Sequence, residues 1–192
     1  MVRQAYLHIG MEKTGTKSLQ VFLKTNEAVL REKGFSYLCD DGRPYFQEIG
    51  HFPVAACFSP QRPEYVLPDK FRPADEVLGE LRRDVAACDQ DVILSCEHFS
   101  SRLREGSALQ AIREALPNRR VTVVCYLRRQ DDFALAAYST AVLSGRRDRF
   151  RIEQVTPRHR FFNFHETLEL WASVVGRENV RVREFARGRL VG

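Results

Sequence analysis

Residues 6–20 read Tyr6-Leu7-His8-Ile9-Gly10-Met11-Glu12-Lys13-Thr14-Gly15-Thr16-Lys17-Ser18-Leu19-Gln20. Tyr6 to Ile9 is short, apolar and β-prone, while Leu19, Phe22 and Leu23 recur at helical spacing. Between them lies a turn of Gly, Thr, Ser and Lys. A strand that breaks into such a turn and then opens a helix forms an anion cradle. The first backbone N–H groups of the helix lack internal partners, and the helix dipole adds partial positive charge there. Gly10 and Gly15 let the backbone approach a phosphate or sulfate closely. Thr14, Thr16 and Ser18 can donate hydroxyls, and Lys13 and Lys17 add full charges. The ordinary alternative is a strand–loop–helix join with a capping Thr. A Walker A loop requires Gly, four residues, then Gly-Lys-Ser/Thr. Gly10 and Gly15 have that separation, but Thr16 follows where Lys is needed.

Working outward, the 192-residue chain is long enough for one domain with a sizeable core. A hydrophobic content of 44% and a charged content of 29% fit a soluble globular protein. No apolar run approaches the roughly 18 residues of a membrane span. The chain enters its first strand almost at once, leaving no room for a secretory signal, so a cytoplasmic location is expected. Net charge is +5 and the pI is about 9.1, which favours anionic ligands without choosing among nucleotides, acidic glycans and nucleic acid. Cys39, Cys57, Cys88, Cys96 and Cys125 form no Cys-x-x-Cys pair and are odd in number. Reduced thiols are expected, with neither a disulfide framework nor a zinc site.

Further along, residues 17–25 read as a helix and Glu27 to Lys33 as a second piece after Asn26, closed by Gly34. Phe35 to Leu38 reads as a short strand and 39–44 as a turn. Residues 45–58 show a mixed helical pattern. Pro60, Pro63, Pro68 and Pro73 make 59–73 an irregular excursion, expected to fold over a ligand. Ala74 to Cys88 reads as an amphipathic helix with Val77, Leu78, Leu81 and Val85 on one face. Asp91 to Cys96 is a strand, Leu103 to Leu116 a helix, Val121 to Leu127 a strand buried on both faces, and Asp132 to Leu143 a helix. Gly145 to Arg160 is irregular and arginine-rich. Phe164 to Val175 is a helix capped by Gly176, and Val180 to Phe185 alternates as a strand. Strands alternating with helices predict an α/β fold, a P-loop-type three-layer arrangement with a mostly parallel central sheet. Ligands bind such sheets beyond the C-terminal strand ends. That rule selects Gly10–Ser18, Ser95–Ser100 and Leu127–Asp132.

The second and third of these stretches carry their own chemistry. Val123 to Leu127 delivers Arg128 and Arg129 at a strand tip, which points to anion recognition. The ordinary alternative is ion pairing with Asp131 and Asp132. Glu97 and His98 stand side by side at another strand end, and either could take a proton from a reacting group. In an extended segment they would point to opposite sides. His51 is a third candidate, although a partly buried His bonded to backbone is its ordinary reading. Arg146, Arg147, Arg149, Arg151, Arg158 and Arg160 could grip an acidic acceptor or form a solvated basic loop.

His-Ile-Gly-x-x-Lys-Thr-Gly-Thr-x-Ser-Leu-Gln resembles the 5′-phosphosulfate loop of sulfotransferases that use 3′-phosphoadenosine 5′-phosphosulfate (PAPS), most closely the bacterial and carbohydrate-type members. Lys17 stands where that family usually has Thr or Ser. The run from Val123 to Tyr138 resembles the family's 3′-phosphate segment: an apolar strand, an Arg, then a helix carrying a Ser and a Tyr. Arg128 and Tyr138 fit; Ala136 stands at the Ser position, with Ser139 one helical turn further on. The resemblance implies sulfuryl transfer from PAPS to a hydroxyl or amine of a carbohydrate or small metabolite, with no metal. It implies Lys13 on the bridging oxygen, Thr14, Gly15, Thr16, Lys17 and Ser18 around the 5′-phosphate, Arg128 on the 3′-phosphate, and Glu97 or His98 as base. Relatives continue past the last strand, so a single sulfotransferase-like domain over residues 1–192 is expected, with truncation after Arg187–Gly192 left open. Two rivals stay open. One is a P-loop kinase of a small molecule, which would require Mg²⁺. The other is a non-catalytic anion binder; a nucleic-acid partner is not expected, since no motif for one is present.

Overall fold

The apolar run before the first glycine becomes β1 (Arg3–His8), the central strand of the sheet in a computed structural model that describes residues 2–156, 158–159 and 161–186. Then follow α1 (Thr16–Thr25), α2 (Glu27–Glu32), β2 (Phe35–Ser36), α3 (Phe52–Ala56), α4 (Ala74–Ala87), β3 (Asp91–Ser95), α5 (His98–Ser101) and α6 (Gly106–Glu114). The last third holds β4 (Arg119–Leu127), α7 (Gln130–Leu143), α8 (Phe164–Val175) and β5 (Val180–Glu184). Arg160 and residues 187–192, both singled out above, lie outside the described residues.

The sheet runs β2-β3-β1-β4-β5, and every pairing is parallel. From β1 the chain passes β3 to reach β2, and all later steps go the other way. Right-handed crossovers therefore set α1 and α2 on one face and the later helices on the other. In keeping with this, α6 packs against both α4 and α8. The architecture is a three-layer α/β fold with an all-parallel sheet. β1 alone sends its connection to one face, while its neighbours β3 and β4 send theirs to the opposite face. The loops diverge at this switch point and leave a crevice around the end of β1.

Burial explains the strands. Ala5, Leu7, Ile9, Val92, Leu94, Val123 and Cys125 are core residues, covered by Val77, Leu81 and Val85 of α4 and by Leu109 and Ile112 of α6. Trp171 of α8 packs on Phe99 and donates its Nε1–H to the Phe99 carbonyl at 3.3 Å. All five cysteines are free. Among the described residues no helix is long and apolar enough to cross a membrane.

Three departures from the sequence reading matter for the site. The segment after β3 is not extended: Glu97 has helical backbone angles and caps α5, and the next helix starts at Gly106 and not at Leu103. The helix after β4 starts at Gln130, where Asp131 and Asp132 in its first turn complement the helix dipole. The core face of α1 consists of Thr16, Gln20 and Leu23, while Phe22 is 57% exposed. A glutamine thus takes a place that amphipathic spacing would give to an apolar side chain.

Candidate functional site

The loop after β1 does not leave the sheet at once. The Ile9 and Met11 amides donate to the carbonyls of Val124 and Tyr126 at 3.0 and 2.9 Å, and the Tyr126 amide donates to the Gly10 carbonyl at 2.6 Å. The chain is thereby led along β4 until Lys13 stands beside Arg128. Gly10 has φ +97°, and a Cβ there would lie 3.1 Å from both Cα and Cβ of Glu97. Only glycine lets the loop and the end of β3 approach this closely. Gly15, at φ 77°, caps α1 in the left-handed region. The Thr14 and Thr16 hydroxyls both turn inward and donate to the Met11 carbonyl, at 2.6 and 3.3 Å. Their protons hold the loop in shape, so the outward donors are the backbone N–H groups at the start of α1. Lys13 is half-buried, and Lys17 and Ser18 are exposed.

Lys13, Gly15 and Arg128 line one cleft of about 520 Å³ with Ala136, Ser139 and Phe185. The Arg128 Nη1 donates to the Lys13 carbonyl at 3.4 Å, and its guanidinium lies 5.8 Å from the Phe185 ring centre. Asp132 also lines the cleft. Arg129 behaves otherwise: it is exposed and grips Asp131 through Nε and Nη2 at 3.2 and 2.7 Å. Ser139 reaches the same cleft as Ala136, because both lie on one side of α7. Tyr138 does not. At about 100° per residue it falls on the other face, where its hydroxyl donates to the Asp148 carbonyl at 2.7 Å. There it lines a cavity of about 170 Å³ with Arg146, Arg149, Phe150 and Arg151. Arg146 pairs with Asp148 at 3.5 Å.

Across the crevice, Glu97 Oε2 accepts from Gln20 Nε2 at 3.2 Å. His98 Nδ1 hydrogen-bonds Ser101 Oγ at 3.3 Å and lies 3.7 Å from Glu12 Oε1, too far for a hydrogen bond. Its ring lies against Tyr65, centroids 4.1 Å apart, and Phe52 at 5.9 Å. Part of the proline-rich excursion is thus packed on His98. Burial pushes the Glu12 carboxyl upward, and the neighbouring His98, Ser101 and Arg102 outweigh it, leaving Glu12 below the usual carboxylate range. His51 is wholly buried among Tyr37, Tyr45 and Phe46 and accepts from the Ser95 amide at 3.2 Å. Burial holds its imidazole neutral, with a pKa of about 3. His51 is thus enclosed in the core and bonded to backbone, more deeply buried than its ordinary reading has it. His8 bonds Ser95 Oγ through Nδ1 at 2.7 Å, and burial lowers its pKa to about 4.

Glu12 and Phe185 were not singled out by residue type or spacing, and Gln20 entered only as the last residue of the loop pattern, with no role. Glu12 is a carboxylate inside an anion loop, and that incongruity is the signal that could have marked it. Gln20 lies four residues after Thr16 on the buried face of α1, a polar residue in core register. Among the described residues no three His, Cys, Asp or Glu side chains gather as a metal site.

No protein-family model matches the chain, and no curated protein matches it. Among solved structures it is similar to a sulfotransferase from Alicyclobacillus acidocaldarius, with a TM-score of 0.51 at 18% identity, covering 96% of this chain and 74% of that one. At this identity the likeness establishes the fold: the chain has the fold of a sulfotransferase.

Proposed function

We propose that the protein is a sulfotransferase that moves a sulfuryl group from PAPS to a hydroxyl or amine of a carbohydrate or small metabolite, and that residues 1–192 act as a single unit in doing so. The observation that carries this reading is the shared cleft of Lys13 and Arg128, in which the tips of two neighbouring strands present two separate cationic groups. PAPS carries anionic groups at both its 5′ and 3′ positions, and two spaced cations suit it better than one.

In this reading the first-turn N–H groups of α1, with Lys17 and Ser18 at the rim, hold the 5′-phosphate. Thr14, Gly15 and Thr16 keep the loop in shape. Arg128 and Ser139 meet the 3′-phosphate. The acceptor oxygen or nitrogen attacks sulfur in line as the sulfur–oxygen bond to the phosphate breaks. Glu97 takes the acceptor's proton, with His98 as the second candidate. Lys13 stabilises the charge that develops on the leaving phosphate, whose other product is adenosine 3′,5′-bisphosphate. The sulfotransferase fold supports this class of reaction.

Calorimetric titration tests the reading directly. Adenosine 3′,5′-bisphosphate should bind more tightly than ADP, because Arg128 recognises the phosphate that ADP lacks. A preference for ADP overturns the assignment.

A further inference from the structure

We infer that Gln20 is a positioning residue for Glu97, fixing which carboxylate oxygen faces the acceptor; this rests on the reading of Glu97 as base. Gln20 is fully buried in the middle of α1. Its Nε2 donates to Glu97 Oε2 at 3.2 Å and to the Ser95 carbonyl at 3.3 Å, so one amide group ties the carboxylate to the last residue of β3. With Oε2 held, the remaining oxygen, Oε1, is left for a proton from the acceptor. A carboxylate without such a tether would sample rotamers around its last two torsions, and few of them would present an oxygen to the reacting group.

The surrounding backbone is shaped around this contact. A Cβ at Gly50 would come 2.9 Å from Gln20 Nε2, and one at Gly10 would come 3.1 Å from Glu97. Glycines on both sides of the pair therefore keep the space that the amide and the carboxylate fill. The amide's own oxygen, Oε1, is buried without a hydrogen-bond partner. The nitrogen end of the amide is the one that faces Glu97. The orientation is set by charge, since turning the amide over would place its oxygen against the carboxylate.

The test compares Gln20→Met, which keeps the volume and removes the donor, with Gln20→Glu, which keeps the shape and replaces the donor with an acceptor. Both are followed by steady-state kinetics, thermal melting and calorimetric binding of adenosine 3′,5′-bisphosphate. Gln20→Met should lower kcat about ten- to hundredfold, with KM for both substrates and the bisphosphate affinity within about twofold of the parent. Gln20→Glu should lower kcat further, because two carboxylates at this distance share a proton and Glu97 is less free to take one from the acceptor. In a Glu97→Gln background Gln20→Met should cost nothing more, because the two residues act as one unit. Parental kcat in Gln20→Met, or a full additional loss in the double variant, overturns the inference. If Glu97→Gln alone keeps near-parental turnover, the base assignment itself falls and the positioning role falls with it. Should Gln20→Met melt too low to assay, Gln20→Glu decides by the same kcat comparison, made alone and in the Glu97→Gln background, where it should cost nothing more.

Discussion

At the start of β4, Arg119 is 5% exposed and donates to the carbonyls of Val85 and Cys88 at 2.9 and 2.7 Å, and to those of Gln90 and Gln4. Just beyond the other end of the same strand, Arg128 has one long backbone contact, at 3.4 Å to Lys13, and faces an open cleft. The neighbourhoods differ in the same way. Near Arg119, the Gln4 amide meets Asp91 Oδ1 at 2.7 Å and Arg120 meets Asn179 at 2.8 Å. Among the described residues, His8 Nε2, Glu12 Oε1, Gln20 Oε1 and His51 Nε2 at the C-terminal end are buried without hydrogen-bond partners, against Arg119 Nε at the other. Folding normally satisfies buried polar atoms, so their accumulation at one end sets it apart from the other and supports the proposed placing of the site there.

The sharpest way to break this contrast is to remove a cation from each end. Lys13→Ala should lower kcat about 10²–10³-fold while leaving the melting temperature within a degree or two. Arg119→Ala should do the reverse. It strands several carbonyls and should cost about 2–4 kcal/mol by denaturant titration, with bisphosphate affinity retained. A functional loss at Arg119 equal to that at Lys13 would erase the distinction between the two ends.

Acid should find the C-terminal end first. His8 and His51 have folded pKa values of about 4 and about 3, below the ordinary value near 6.5. Between those limits the unfolded chain binds more protons than the folded one, so stability rises with pH and falls as pH drops below about 6.5. The slope is about 1.4 kcal/mol per pH unit for each histidine. Denaturant midpoints at pH 6.5 and pH 5 measure it within a range that most carboxylates do not reach; equal midpoints would contradict the buried, neutral state of both rings.

A smaller effect separates the adjacent arginines. Arg128→Ala should weaken adenosine 3′,5′-bisphosphate binding about tenfold and leave ADP binding unchanged. Arg129→Ala, which removes an exposed pair with Asp131, should change neither. Equal losses from the two substitutions would reduce the site to a diffuse positive field.

Much of the fold was legible before any coordinates. The alternation of apolar runs with amphipathic stretches marks all five strands, and α8 has the bounds that its spacing and Gly176 predict. The short elements were not legible. The strand read over Phe35 to Leu38 shrinks to the two residues of β2, and α5 is a single turn whose Glu-His pair reads equally well as extended chain. Tyr138 shows how a family pattern can mislead: its spacing from Arg128 fits, but the α7 face on which it falls directs it to Asp148.

The sequence by itself determined the α/β class and the glycine-bearing anion turn. Both depend on the conformational preferences of residues close in the chain, and those preferences are readable from composition and period. Tertiary structure alone decided that Gln20 meets Glu97 across 77 positions and that Arg128 meets Lys13 across 115. Such meetings follow from strand order and register, which bring the ends of β1, β3 and β4 together. No local preference encodes them, because each depends on the packing of the whole sheet.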